Sequence, residues 1–252
     1  MRAVGVIPAR YGSTRFPAKM LADLGGQALV LRTVARARQA HLLDEVLLAT
    51  DDERIASVAR AAGVPYRMTR VDHPSGTDRI AEAVEGLDAD IVINIQGDEP
   101  FIEPSLIDEL VTRMRNEPDL DMATASTPIV EARQLTDASV VKVVCDERGR
   151  ALYFSRSLIP ASRDEPPETH LASGIYQRHL GIYAYRRDFL LRLVAFPPHP
   201  LELLEKLEQL RALAHGARMA VLRTRTTAPG IDTAEDLRQA RERWQAQTES
   251  PS

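Results

Sequence analysis

The chain has 252 residues, 44% hydrophobic and 27% charged, enough to bury a substantial core in one domain or slightly more. Its formal net charge of -4 excludes a general nucleic-acid binder, because a sequence-independent grip on phosphate backbone needs a basic surface. The single cysteine, Cys145, excludes an internal disulfide, and without a signal-like segment or a long apolar run the expected setting is cytoplasmic, with no membrane attachment.

In chain order, Ala3–Ile7 reads as a strand, Leu29–Ala40 as a helix, Glu45–Ala49 as a strand, Glu53–Ala62 as a helix, Ile91–Ile95 as a strand and Ser105–Arg115 as a helix. This alternation predicts an α/β fold of βαβ units around a mostly parallel central sheet flanked by helices. The apolar run at 91–95, broken only by Asn94, suits a central strand covered on both faces. Ligands of such sheets bind at the carboxyl ends of the strands.

Beyond about residue 125 the pattern changes to short strands at Val140–Cys145, Ala151–Phe154 and Leu180–Tyr185, around the polar stretch Ala161–His170. We expect a single domain over about 1–248 with a smaller inserted lobe or dimerisation arm at about 128–186. A helix is predicted over Leu201–Ala214 and a last one from near Thr233 to about Gln247, leaving 249–252 as a tail. Cys145, inside an apolar run, reads as a buried core residue and not as a nucleophile.

The first strand runs straight into Pro8-Ala9-Arg10-Tyr11-Gly12-Ser13-Thr14-Arg15-Phe16-Pro17-Ala18-Lys19. Glycine lets backbone N–H groups approach an anion, arginine offers a planar fork and lysine a compact charge, so Arg10, Arg15 and Lys19 predict a phosphate-binding loop. The dinucleotide and P-loop glycine patterns are absent.

The strand at 91–95 ends in Gln96-Gly97-Asp98-Glu99-Pro100, putting Asp98 at the same sheet edge as the basic loop. Asp98 is either an ordinary turn residue or a ligand for magnesium, which takes one or two carboxylates plus phosphate oxygens. Asp232, in Gly230-Ile231-Asp232-Thr233, is either a second such ligand or a residue favouring the helix start, where Thr233 and Asp236 resemble a capping box. In His73-Pro74-Ser75-Gly76-Thr77-Asp78-Arg79, Ser75 and Arg79 suit recognition of a nucleoside, while Ser75 or Thr77 equally suits a helix N-cap.

The second half brings Arg156, His179, Tyr183, Glu208 and Gln209, a set suited to a polyhydroxylated acid. Each also has a plainer role, His179 as a half-buried strand residue and Glu208 with Arg211 as a solvated helix pair.

These segments together are similar to the 3-deoxy-manno-octulosonate cytidylyltransferase family. The resemblance is carried by Ile7–Lys19, Met68-Thr69-Arg70 with His73–Arg79, Asn94–Pro100, Ala151–Arg156, Arg178–Tyr183, Leu207–Arg211 and Gly230–Thr233, in the family's order and with similar spacing. It departs at Phe16 and Ala18, where leucine and glycine are more usual, and over Arg163–Tyr176.

The resemblance implies a Rossmann-like nucleotide-diphospho-sugar transferase fold and a magnesium-dependent homodimer. It implies transfer of CMP from CTP to the acidic sugar Kdo, giving CMP-Kdo and pyrophosphate for lipopolysaccharide synthesis. Arg10, Arg15 and Lys19 would bind the triphosphate, Gln96 with Ser75 and Arg79 would lie near the nucleoside, and Asp98 with Asp232 would hold magnesium. Arg156, His179, Tyr183, Glu208 and Gln209 would contact Kdo. Catalysis is expected from Lys19, Arg10, Asp98 and Asp232, with no side chain assigned as general base. The competing substrates are related acidic sugars, 8-amino-Kdo or sialic acid, and methylerythritol phosphate. A non-catalytic nucleotide-binding protein on this scaffold would be expected to lack Lys19 or the Asp98 and Asp232 pair.

Overall fold

Strand β1 (Ala3–Ala9) is an almost wholly buried run, and the chain leaves it through the basic loop into a 3₁₀ turn, Lys19–Leu21. A two-residue hairpin follows, β2 (Asp23–Leu24) with β3 (Gln27–Ala28). Then come α1 (Leu29–Ala37), β4 (Glu45–Thr50), α2 (Glu53–Ala61), β5 (Tyr66–Met68), α3 (Gly76–Ala83), β6 (Ile91–Asn94) and α4 (Pro104–Asn116). The computed structural model describes residues 1–12, 16–225 and 230–249. Packing groups the chain into two units, Met1–Asp108 with Ala228–Ser252, and Glu109–Thr227.

In the first unit, β1 pairs in parallel with β6 on one side and β4 on the other, and β5 extends the sheet from β4. Val4, Val6, Ile7, Leu48, Ile91 and Ile93 are fully buried, so both faces of the central strands are covered, as the apolar run at 91–95 predicts. Each such side chain contributes about 1.5–3 kcal/mol relative to leaving it in water. The buried Asn94 is satisfied locally, its Oδ1 accepting from Gln96 Nε2 at 3.1 Å.

The second unit holds β7 (Met122–Pro128), α5 (Arg133–Thr136), β8 (Lys142–Cys145), β9 (Ala151–Ser155), a 3₁₀ segment Pro167–Ser173, β10 (Gln177–Arg186), α6 (Arg187–Ala195), α7 (Pro200–Glu205), α8 (Gln209–Ala214) and β11 (Met219–Arg223). Strand β7 lies between antiparallel β10 and parallel β11, while β8 pairs antiparallel with β10 and β9. The lobe expected at about 128–186 falls within this unit. The chain returns to the first unit with α9 (Ala234–Glu249), so the tail expected from 249 begins no earlier than 250, and residues 250–252 lie outside the described set.

Three differences from the sequence reading have physical causes. Strand β7 was not expected because Thr124, Ser126 and Thr127 give it a polar pattern; all three are buried, and Ser126 is satisfied by donating to Gln177 Oε1 at 3.0 Å. The helix predicted over Leu201–Ala214 is two helices, because Lys206 adopts a left-handed conformation (φ 54°) that ends α7. Cys145 is half-buried, not a core residue, and burial pushes its thiol pKa up, which leaves it protonated and unreactive.

The two departures in the first loop also have places. Phe16 packs against the apolar cluster of Leu24, Leu29, Phe101, Ile231 and Leu237, which accommodates the larger ring. Ala18 sits in the left-handed region at φ 57°, ψ 21°, which explains why glycine is the more usual residue there. Ala18→Gly is therefore expected to stabilise the protein by about 0.5–1 kcal/mol, the relief of the Cβ clash exceeding the entropy glycine adds to the unfolded chain. A denaturant midpoint equal to or below that of the parent chain would contradict this.

Candidate active site

The first unit brings Lys19, Asp98 and Asp232 together, although 213 residues separate the first from the last. Lys19 Nζ donates to Asp98 Oδ2 at 2.5 Å and to Asp232 Oδ1 at 3.2 Å. Lys19 is 7% exposed, so this ammonium is largely removed from water and its pairing is stronger than that of a surface pair.

Three local devices build the cluster. The turn bearing Asp98 passes so close to the end of β1 that a Cβ on Gly97 would lie 3.1 Å from Pro8 O and 3.0 Å from Met20 Sδ, so only glycine fits without displacement. Buried Thr33 on α1 donates to Gly97 O at 2.9 Å and fixes the turn from behind. Ile231 N donates to Asp98 O at 3.0 Å, tying the two carboxylate-bearing segments together.

The capping box at α9 is present, with Asp236 N donating to Thr233 Oγ1 at 3.1 Å and Thr233 N to Asp236 Oδ2 at 2.8 Å. Because Asp236 serves the helix end, Asp232 faces Lys19 instead. The helix-start role weighed for this segment is thus taken by Thr233 and Asp236, which leaves the Asp232 carboxylate to pair with Lys19.

Magnesium prefers oxygen ligands and takes one or two carboxylates together with phosphate oxygens and water. Two carboxylates converging on one cationic nitrogen are a donor set that fits it. Among the described residues no cluster of three or more His, Cys, Asp or Glu offers an all-protein cage, so this pair would be completed by the substrate.

The other residues expected near the nucleotide follow the same strand ends. Arg10 is exposed beyond β1, with no polar partner among the described residues. Arg15 lies outside the described residues. Ser75 is the N-cap of α3, accepting from Thr77 N at 3.1 Å and Asp78 N at 3.3 Å. Arg79 is 4% exposed and bound to Asp51 Oδ2 at 2.7 Å, with further donation to Thr69 Oγ1 and Arg70 O. Its guanidinium thus cross-links the segments after β4 and β5. Gln96 follows β6, half-buried and bound to Asn94.

In the second unit a bulge in β10 between Leu180 and Tyr183 arranges the expected sugar contacts. Thr124 Oγ1 lies 2.8 Å from Ile182 O and 3.0 Å from His179 Nε2. The hydroxyl has one proton, and donating it to Ile182 O makes Nε2–H of His179 the donor to Thr124, which leaves Nδ1 as an acceptor. The imidazole packs edge-on against Phe154 and beside Tyr183, and this enclosure pushes its pKa down to about 3, so it is neutral at physiological pH. Burial likewise pushes the Tyr183 hydroxyl up, keeping it a hydrogen-bond donor.

Arg156 caps the broken helix. Its Nε donates to Glu205 O at 2.6 Å and its Nη1 to Ala138 O at 2.9 Å, while Glu205 Oε2 accepts from Arg156 N at 2.9 Å. The break places exposed Glu208 and buried Gln209 at the start of α8. Gln209 Nε2 is buried without a hydrogen-bond partner among the described residues, an orphaned donor suited to a ligand hydroxyl. Arg211, weighed as the helix partner of Glu208, forms an ion pair with Glu202 at 3.4 Å.

The sequence reading passed over Lys142, whose side chain is fully buried and donates to Asp137 O at 2.7 Å and Arg156 O at 3.0 Å. A lysine inside the apolar run Val140–Cys145 is the signal that would have found it. It also passed over Thr124, for which the residue types gave no signal.

A family model described as Cytidylyltransferase matches residues 4–220. The chain is 46% identical over 241 residues to 3-deoxy-manno-octulosonate cytidylyltransferase of Syntrophotalea carbinolica, covering 94% of this chain and 96% of that one. It is 47% identical over 237 residues to the protein of the same name from Bdellovibrio bacteriovorus, covering 94% and 95%.

Among solved structures, CMP:2-keto-3-deoxy-manno-octonic acid synthetase complexed with CTP superposes with a TM-score of 0.92 at 42% identity, over 98% of this chain and 100% of that one. The 4-diphosphocytidyl-2C-methyl-D-erythritol synthase of Anaerococcus prevotii, at 14% identity and a TM-score of 0.64 over 97% and 98%, shares the fold. Near-complete coverage at this identity, together with the carboxylate-bound lysine and the bulged second-unit strand, leads to one conclusion: the chain belongs to the 3-deoxy-manno-octulosonate cytidylyltransferase family.

Proposed function

We infer that the chain transfers CMP from CTP to Kdo, releasing pyrophosphate, in the supply of activated Kdo for lipopolysaccharide synthesis. The observation that carries the chemistry is the convergence of Lys19, Asp98 and Asp232 in the first unit. The similar structure complexed with CTP and the similarly named relatives supply the substrates.

In the reaction the anomeric hydroxyl of Kdo attacks the α-phosphorus of CTP in line. A new O–P bond forms as the bond from the α-phosphorus to the bridging oxygen breaks, and pyrophosphate takes that electron pair. Such chemistry needs positioning and charge neutralisation more than covalent help from the protein. Lys19 and Arg10 are the cations that bind the triphosphate and stabilise charge gathering on the departing pyrophosphate, together with Arg15 of the same loop. A magnesium ion held by Asp98 and Asp232 would supply further charge neutralisation at the phosphates. Ser75, Gln96 and Arg79 shape the nucleoside end, Arg79 by holding its surroundings in place.

On the sugar side, neutral His179 offers an acceptor, Tyr183 a hydroxyl, Gln209 an amide donor, Glu208 a carboxylate and Arg156 a fork for the acid group. The hydroxyl proton passes to water, and no side chain is assigned as its base.

We further propose a homodimer acting in the cytoplasm. Leu203 and Leu204 on α7 are 52% and 83% exposed and Leu152 on β9 is 62% exposed, apolar surface that a second copy would cover. Among the described residues no helix is long and apolar enough to cross a membrane.

Pyrophosphate release is expected only when CTP, Kdo and magnesium are present together. Measured across a panel of nucleotides and acidic sugars, equal rates with ATP or with sialic acid would reject the substrate assignment.

A further inference from the structure

Lys19 occupies the same two carboxylates that a divalent cation would need. Its ammonium lies between Asp98 Oδ2 and Asp232 Oδ1, at 2.5 and 3.2 Å, and is 7% exposed. A magnesium ion held by the same oxygens would need to approach them more closely still, since Mg–O bonds are about 2.0–2.1 Å. Two cations on one pair of carboxylates at such separations repel strongly in a partly desolvated site. We propose that Lys19 is an internal counter-ion for the metal site, so that the carboxylates accept a divalent cation only when Lys19 is drawn away.

What draws it away is the triphosphate. Phosphate oxygens offer the ammonium a replacement acceptor, and the lysine has the reach to follow them, four methylenes with three rotatable donors. The backbone around it favours this transfer: Lys19 begins a 3₁₀ turn, while the backbone that bears the two carboxylates is tied down, Gly97 O by Thr33 and Asp98 O by Ile231 N. The lysine side chain is thus the moving part and the backbone of the acidic pair the fixed one. Metal and nucleotide then enter together, and the protein without nucleotide discriminates against free divalent cations. This rests on the reading of Asp98 and Asp232 as metal ligands.

The test uses the full chain without nucleotide and Mn²⁺ alone as probe, with free Mn²⁺ followed by electron paramagnetic resonance. The parent chain is expected to bind Mn²⁺ weakly, and Lys19→Met to bind it about tenfold or more tightly, because a competing unit charge has been removed. Lys19→Gln should behave like Lys19→Met, and Lys19→Arg like the parent chain, with thermal melts confirming that each variant folds. Adding Asp98→Asn to Lys19→Met should abolish the gain. Equal Mn²⁺ affinity in the parent and Lys19→Met chains, with Asp98→Asn lowering both, would overturn the exchange and leave the metal assignment standing. If neither Asp98→Asn nor Asp232→Asn alters Mn²⁺ binding in any background, the metal assignment itself fails.

Discussion

Asp98→Asn is expected to lower turnover by about 10²–10³-fold while leaving the fold intact. The substitution keeps the shape and one acceptor oxygen but removes a full negative charge from a site whose ligands are all ionic. A unit charge acting at about 4 Å in an effective dielectric of about 20 is worth about 4 kcal/mol, and about 1.4 kcal/mol is a tenfold change in rate. Part of that is recovered by water and by Asp232, which sets the lower end of the range. Asp232→Asn should have a smaller effect of the same kind, because its side chain is 49% exposed against 21% for Asp98 and its contact with Lys19 is longer. The two losses should combine to less than their product, since both act on one cation. Steady-state rates of the three variants decide this, and parental turnover in Asp98→Asn removes it from the site.

The second large effect is expected at Arg156. Its guanidinium does two jobs: it satisfies the carbonyls of Glu205 at the end of α7 and of Ala138 ahead of β8, and it keeps further donors for an acidic ligand. Arg156→Ala leaves those carbonyls without their partner, a loss of about 1–3 kcal/mol for each that stays dry, and frees the segment that carries Glu208 and Gln209. KM for Kdo should rise by about 10²-fold or more, as for a truncated buried charge pair, while KM for CTP changes little. Arg156→Lys keeps the charge but not the planar fork and should recover only a minor part of the loss. Comparing KM for the two substrates in each variant tests the assignment. Equal rises in both would point to global damage instead of a sugar-side role, and an unchanged KM for Kdo would remove Arg156 from the sugar contacts.

Much of the fold was legible because periodicity reports burial. The runs that became β1, β4 and β6 are apolar on both faces, and helices α1, α2 and α4 carry the spacing of one buried stripe. Where burial is not apolar, the signal failed. Strand β7 hides behind buried threonines and a serine, and Lys142 behind two backbone carbonyls, because partners distant in sequence satisfy their polarity. The break at Lys206 was equally silent: lysine is a good helix former, and only the carbonyls gathered around Arg156 show why the chain turns there.

The candidate site was legible in its chemistry and not in its geometry. Residue types indicated a phosphate loop at Arg10–Lys19 and left Asp98 and Asp232 between a structural role and a metal, while the family resemblance implied the sugar contacts at Arg156, His179, Tyr183, Glu208 and Gln209. Such identities follow from which charges and hydrogen bonds a reaction needs, and those are local properties of side chains. That Asp236 serves the helix cap while Asp232 faces Lys19, that Arg79 is held by Asp51, and that His179 is enclosed beside Thr124, where burial lowers its pKa, are decided by tertiary structure. Each depends on which groups become neighbours across tens or hundreds of residues, and on how much water is left between them. One sequence names the donors and acceptors, while the packing of two units' cores decides which of them remain available to a ligand.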